Sequence, residues 1–291
     1  MPGVAAIPGA VLAAPTAAVA AKTYTLPAPT SSTNKALKAR KSTWKDTFPS
    51  TFKADDVQQQ EILNCYLAAT LAALAHTTKG ISAIKKMVEP KQGKIVTTCH
   101  DYDFDGTKGP VKKITSDRYY EVKFHNGRKL TVSDVLYMDD SDRNWNPRYM
   151  TSHSANALWP CLVEAAYASY KGSYEKIDAS ANILFSDFLK DIVGPNYELL
   201  DFKGGNKFAR GKTRKLTTAD VKAACRRANT IPVVGASRTG ATSVTGWHGF
   251  AVLGLRGSNK VRLYDPLSVK EKDLDLKTLW RDFQALFVLN I

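Results

Sequence analysis

Cys65 opens the stretch NCYLAATLAALAHT, residues 64–77, whose alanine and leucine content is that of a buried helix. A thiol near the start of a helix meets free backbone N–H groups and the positive end of the helix dipole. Both stabilise a thiolate, so Cys65 suits a nucleophile. Asn64 is the candidate N-cap. A thiol nucleophile needs a base and a group to orient that base. His248 lies in GWHGFAVLGLRG, at the mouth of an apolar strand, and Asp265 lies on the next strand, in VRLYDPLS. If the two strands pair antiparallel through Gly257-Ser258-Asn259, the Asp265 carboxylate comes beside the His248 ring. It would then fix the tautomer and stabilise an imidazolium. Each residue also has a plainer use: a cysteine that fills the core, a surface histidine at a strand start, and a turn aspartate before Pro266.

The elements that must position these residues follow from periodicity. ANALWPCLVEAAYASYKG places Leu158, Leu162, Val163, Ala166 and Tyr170 at helical spacing, with Gly172 as a stop. A short helix is expected near Ile81–Val88. RYYEVKFHNGRKLTVSDVLYM alternates on either side of His125-Asn126-Gly127, which signals a hairpin. Beyond Gly194 the pattern is strand-like, in IPVVGAS, GFAVLGLRG, KVRLYDPL and FQALFVLNI, with one helix after the capping box of Thr217 and Asp220. Helices first and strands later imply an α+β protein of two lobes. The expected divisions are a flexible Ala/Pro/Thr-rich leader or linker over 1–40, a helical lobe with Cys65 over 41–194, and a β-rich lobe with His248 and Asp265 over 195–291.

The 291 residues carry 44% apolar and 23% charged side chains, a globular composition with no run long enough to span a membrane. The formal charge of +14 is densest from Lys203 to Arg227, a stretch with one aromatic, Phe208. Nucleic-acid readers interleave stacking aromatics with such charges, so a solvated face is expected and no nucleic-acid partner. None of the four cysteines, Cys65, Cys99, Cys161 and Cys225, is paired at the spacing of a zinc ribbon or a redox motif. With Cys65 free, an odd number remains, which favours a reducing intracellular compartment over a disulfide framework. The small residues of VLAAPTAAVAA offer secretion as the alternative, without the basic start of a signal peptide. DYDFDG, Asp101–Gly106, supplies the first carboxylates and the glycine of a calcium loop, but Lys112 stands where the loop requires a bidentate Glu. Asp139, Asp140, Asp142 and Asn144 lack the glycine. Both clusters read as acidic turns, with calcium an open option and no cofactor required.

Beyond these patterns, DDVQQQEILNCYLAATLAALA resembles the segment around the catalytic cysteine of the calpain proteases. LWPCLVEAAYASYKGSYEKI and HGFAVLGLRG are similar to the family's next helix and its catalytic-histidine strand, and VRLYDPLS takes the place of its Arg-Asn-Pro-Trp-Gly motif. Order and spacing agree from about Trp44 to Ile291. The resemblance implies a papain-like fold, with Cys65 as nucleophile, His248 as general base and acid, and Gln59 with the Cys65 N–H as oxyanion donors. It places Asp265 where calpains have the asparagine that orients the histidine. Gln60 and Leu63 replace glycines, and Tyr66 and Leu267 replace tryptophans. The function so implied is a calpain-like cysteine endopeptidase acting on protein or peptide substrates through a thiol acyl-enzyme. The same residues would serve an acyl transferase, a transglutaminase or peptide ligase, and the lost glycines and tryptophans would suit a non-catalytic binding module. The sequence leaves the oligomeric state open.

Overall fold

A computed structural model describes residues 21–30, 36–139, 147–153, 157–178, 185–202 and 216–291. In chain order the elements are β1 (Lys22–Thr25), β2 (Leu37–Lys41), α1 (Cys65–His76), α2 (Thr78–Met87), β3 (Val88–Tyr102), β4 (Lys108–Lys123), β5 (Lys129–Ser133) and β6 (Val135–Asp139). They continue as α3 (Trp159–Lys171), α4 (Phe185–Ile192), β7 (Tyr197–Asp201), α5 (Thr218–Arg227), β8 (Val233–Ser237), β9 (Gly249–Arg256), β10 (Lys260–Asp265), β11 (Lys270–Asp275), α6 (Leu276–Asp282) and β12 (Phe283–Leu289). The class is α+β, with two six-stranded sheets among the described residues.

The first sheet runs β5-β4-β3-β2-β6, with β1 added in parallel to β3. It corrects two expectations. Residues 41–194 are not a helical lobe, because β3 to β6 lie within them, and the leader over 1–40 contributes β1 and β2. Tyr24, Leu26 and Leu37 are buried in the main core, and the Leu26 N–H bonds the Thr98 carbonyl at 3.0 Å. Apolar anchoring of a few residues places the described residues 21–30 and 36–40 on the sheet, although their composition is that of a linker. The expected helix near Ile81 is present as α2, and the Asn126–Gly127 turn joins β4 to β5. The Thr217–Asp220 capping box opens α5 as expected.

The second sheet is ordered β11-β10-β9-β8-β12-β7. Its central strands β8, β9 and β12 are apolar on both faces because both are covered, while the edge strands β7 and β11 are only partly buried. Val234, Ala236, Ala251, Leu253, Tyr264, Ala285, Phe287 and Leu289 join a core shared with α1 and α3. The alternate residues Val233, Phe250, Val252, Val261, Leu263, Phe283, Leu286 and Val288 enter a second core with α5 and α6. The strand period of two sorts one continuous apolar run into two cores. α1 is buried along nearly its whole length, from Tyr66 to Ala75, as a helix apolar all round must be.

Asp101 sits in β3, where its carboxylate accepts the Ala39 N–H at 3.1 Å and pairs with Lys112 and, at 3.8 Å, with Lys38. The Lys112 ammonium thus pairs with the first carboxylate that a calcium loop would have offered. Among the described residues no group of three or more His, Cys, Asp or Glu side chains could hold a metal. Asp140, Asp142 and Asn144 lie outside the described residues. Among those described, no helix is long and apolar enough to cross a membrane.

Candidate active site

Cys65 is the first residue of α1 and is half-buried, while Cys99, Cys161 and Cys225 are buried free thiols. Burial pushes the Cys225 thiol up to about 12 and raises those of Cys99 and Cys161. Asn64 occupies the N-cap position, but its side chain makes no bond to the helix. Its Nδ2 donates instead to the buried Glu164 of α3 at 2.6 Å, and the other oxygen of Glu164 accepts the Met150 N–H at 2.8 Å. The N-cap of α1 is therefore anchored to α3; the Asn64 carbonyl accepts the Leu67 and Ala68 N–H groups, and its side chain makes no bond to those of Cys65 and Tyr66. Burial raises the Glu164 carboxyl to about 8, against two hydrogen bonds that lower it.

His248 ends the loop between β8 and β9. Its backbone N–H donates to Ser237 Oγ at 2.9 Å, and Ser237 Oγ donates to the Thr245 carbonyl at 2.6 Å. The hairpin of β9 and β10 pairs antiparallel as expected, bringing Asp265 Oδ1 to 2.7 Å from His248 Nε2. The other ring nitrogen, Nδ1, is left for the Cys65 thiol, which is near enough to the ring to raise its pKa. Burial pulls the imidazole toward neutrality. The Asp265 hydrogen bond and the Cys65 sulfur outweigh it and raise the ring to about 9. Burial likewise opposes the Asp265 charge, but the His248 bond, Ser268 Oγ at 2.9 Å and the Leu267 N–H at 3.0 Å hold the carboxyl below its ordinary value.

The close fit of α1 and β9 depends on Gly249. A Cβ there would stand 2.7 Å from the Cys65 carbonyl oxygen and 3.2 Å from the Ala69 Cβ. Any side chain would hold the histidine strand away from the nucleophile's helix.

Gln59 is buried beside this group. Its backbone N–H donates to the Pro266 carbonyl at 2.9 Å and its Nε2 to the Ile62 carbonyl at 2.8 Å. An amide nitrogen carries two hydrogens, so one N–H remains to be given. Gln59, Cys65, His248 and Asp265 thus come together from four separate segments. Ser237, Gly249, Ser268 and the Asn64–Glu164 pair were not singled out from the sequence. Asp-Pro followed by a serine is a turn signal that could have found Ser268, and Asp265 proves to be both the turn aspartate and the partner of His248. The others depend on contacts distant in sequence.

An α+β chain with a helix-start thiol against an aspartate-backed imidazole is built as a cysteine protease is built. The family described as calpain family cysteine protease matches residues 29–266. The chain belongs to the calpain family of cysteine proteases. No curated protein matches the sequence.

Proposed function

We propose that this cysteine protease is an endopeptidase whose catalytic residues are Cys65, His248, Asp265 and Gln59. The observation that carries the reading is the 2.7 Å hydrogen bond between Asp265 and the His248 ring, with the Cys65 thiol near enough to the same ring to raise its pKa. Residues 41–194 and 195–291 would form two lobes in the papain manner, with the substrate in the cleft where α1 meets β9.

His248 Nδ1 takes the Cys65 proton first, giving an imidazolium beside a thiolate, and Sγ then attacks the carbonyl carbon of the scissile bond. The C=O electron pair moves to oxygen, and the Cys65 N–H and the remaining Gln59 N–H receive the oxyanion. Collapse expels the amine, which takes the proton from His248 and leaves a thioester on Cys65. A water then gives a proton to Nδ1 and its oxygen to the acyl carbon. The thiol is restored and a carboxylic acid is released. These steps use only side chains of the chain and water. Asp265 keeps Nε2 as the donor, so that Nδ1 always faces sulfur.

The test is the mass of the products from an unfolded protein substrate with a primary amine present. New internal carboxyl and amino ends support the endopeptidase. Amide adducts of the added amine would assign an acyl transferase instead, and an unchanged substrate a binding module.

Asp265→Asn separates the charge of the orienting group from its hydrogen bond. The carboxylate is one of the contributions that raise His248, so its loss lowers the ring and the imidazolium disappears at a lower pH. The alkaline limb of kcat/KM, expected near pH 9 in the parent, should move down. Neutral activity should fall by no more than ~10-fold, because the amide oxygen still accepts from Nε2. The pair also stabilises the fold. His248 is raised above its ordinary ~6.5, so its part is complete below that pH and lost as pH rises toward about 9. Asp265 is lowered, so its part is lost as pH falls through the acid range. A pH–rate profile of the variant whose alkaline limb coincides with the parent's would remove Asp265 from this role.

A further inference from the structure

Trp247 stands immediately before His248 with a φ of 52°, and among the described residues only Val269 shares that backbone region without being glycine. A bulky L-residue in the left-handed region is held there against its preference. The loop enforces it: the Trp247 N–H bonds the Arg238 carbonyl at 3.3 Å, and a Cβ on Gly246 would lie 2.6 Å from the Thr239 carbonyl oxygen, so the chain returns tightly on itself. Burial does not repay the strain, because Trp247 is 70% exposed. Strain that the surroundings impose on an exposed side chain beside a reacting group points to a function for that side chain.

Two more apolar side chains accompany it. Leu63 is 56% exposed two residues before Cys65, and Leu267 is 43% exposed two residues after Asp265. The other large apolar side chains exposed among the described residues, Phe104 and Val111, belong to the distant β3–β4 hairpin. Consecutive Cα atoms are ~3.8 Å apart, so Leu63 and Leu267 lie within ~8 Å of Cys65 and Asp265, and Trp247 within one residue of His248. Each of the three thus adjoins a residue of the site along the chain and is exposed there. The formal charge of +14 would by itself draw acidic segments, whereas these large side chains exposed next to the site's residues are apolar.

We propose that Trp247, seconded by Leu63 and Leu267, determines the specificity of this site by selecting a bulky apolar side chain next to the scissile bond. The inference rests on the endopeptidase reading. Internally quenched peptides that differ only at residues flanking the cleaved bond test it. Leu or Phe there should give a kcat/KM at least ~10-fold above Glu or Gly, the size of discrimination an apolar contact supplies. The preference should persist in high salt, which screens charge.

Trp247→Gly should reduce that ratio by ~10-fold while the melting temperature holds or rises, since glycine accepts the positive φ. Leu63→Ser should reduce the ratio in the same direction and supplies the reading if the glycine variant fails to fold. A parent that cleaves all the peptides equally or prefers Glu overturns the inference, as does a Trp247→Gly enzyme with the parental ratio. A parent that cleaves none of them and takes no iodoacetamide at Cys65 overturns the protease reading, and this inference with it.

Discussion

Cys65→Ala is expected to lower kcat/KM on an unfolded protein substrate by on the order of 10^5-fold or more, the scale seen when a nucleophile acting as part of a unit is removed. No other thiol can take over. Cys99, Cys161 and Cys225 are buried, their thiols are raised by that burial, and none touches His248. The loss should be purely chemical, because alanine is the better helix former at a half-buried first position and leaves α1 intact. Two measurements on the same preparation check it: the rate of cleavage, and the intact mass after iodoacetamide. The parent should take label at Cys65 first, and the variant should keep the parental melting temperature while neither labelling there nor cutting. Cleavage by the variant at the parental rate would remove Cys65 from the chemistry.

Gly249→Ala should cost ~10²-fold in kcat/KM although the added methyl touches no substrate. The new Cβ would fall 2.7 Å from the Cys65 carbonyl oxygen and 3.1 Å from its carbonyl carbon, so helix and strand must separate. Both contacts are backbone, which cannot rotate aside. His248 precedes the glycine directly, so the displacement is delivered to the Cys65–His248 gap, and a misplacement of ~1 Å at a reacting group is worth a loss of that order. Overpacking should also lower stability by ~1–3 kcal/mol. Denaturant unfolding beside steady-state kinetics separates the two, since only the fraction still folded at assay temperature counts toward kcat. A Gly249→Ala enzyme with parental kcat/KM would mean that the contact between α1 and β9 does not set the reacting distance.

In the second sheet β8, β9, β10 and β12 and the helix α5 were legible because these strands read as apolar runs between clear turns, while the only partly buried β7 and β11 and the short helix α6 were not. Of the first sheet the sequence showed the β4–β5 hairpin, while β1, β2, β3 and the first half of β4 stayed hidden. β3 contains Pro90 and Gly93, and β4 is largely exposed along its first half, with Lys108, Lys112 and Lys113 pointing to no core. The first halves of both strands are held by a long mutual ladder rather than by burial, so alternation does not mark them there, although Ile95, Thr97 and Cys99 of β3 are buried at alternate positions. Asp265 and His248 could be paired from the sequence because one hairpin joins them. The support for Cys65 could not be found that way: Asn64 abandons its capping role for Glu164, a hundred residues further on. Ser237 holds His248 across a loop in the same manner, with no local pattern to announce it.

α1 belongs to neither half of the chain. Its apolar circumference is packed by α2 and α4 and by β8, β9 and β10 of the second sheet, with Ala251, Leu253 and Tyr264, within a single core. Neither half can melt while the other keeps its order, because each would strip water-averse surface from the helix that bears the nucleophile. In a calorimeter, heating should produce one endotherm rather than two. An enzyme built in this way loses its hydrolytic competence and its tertiary structure at the same temperature.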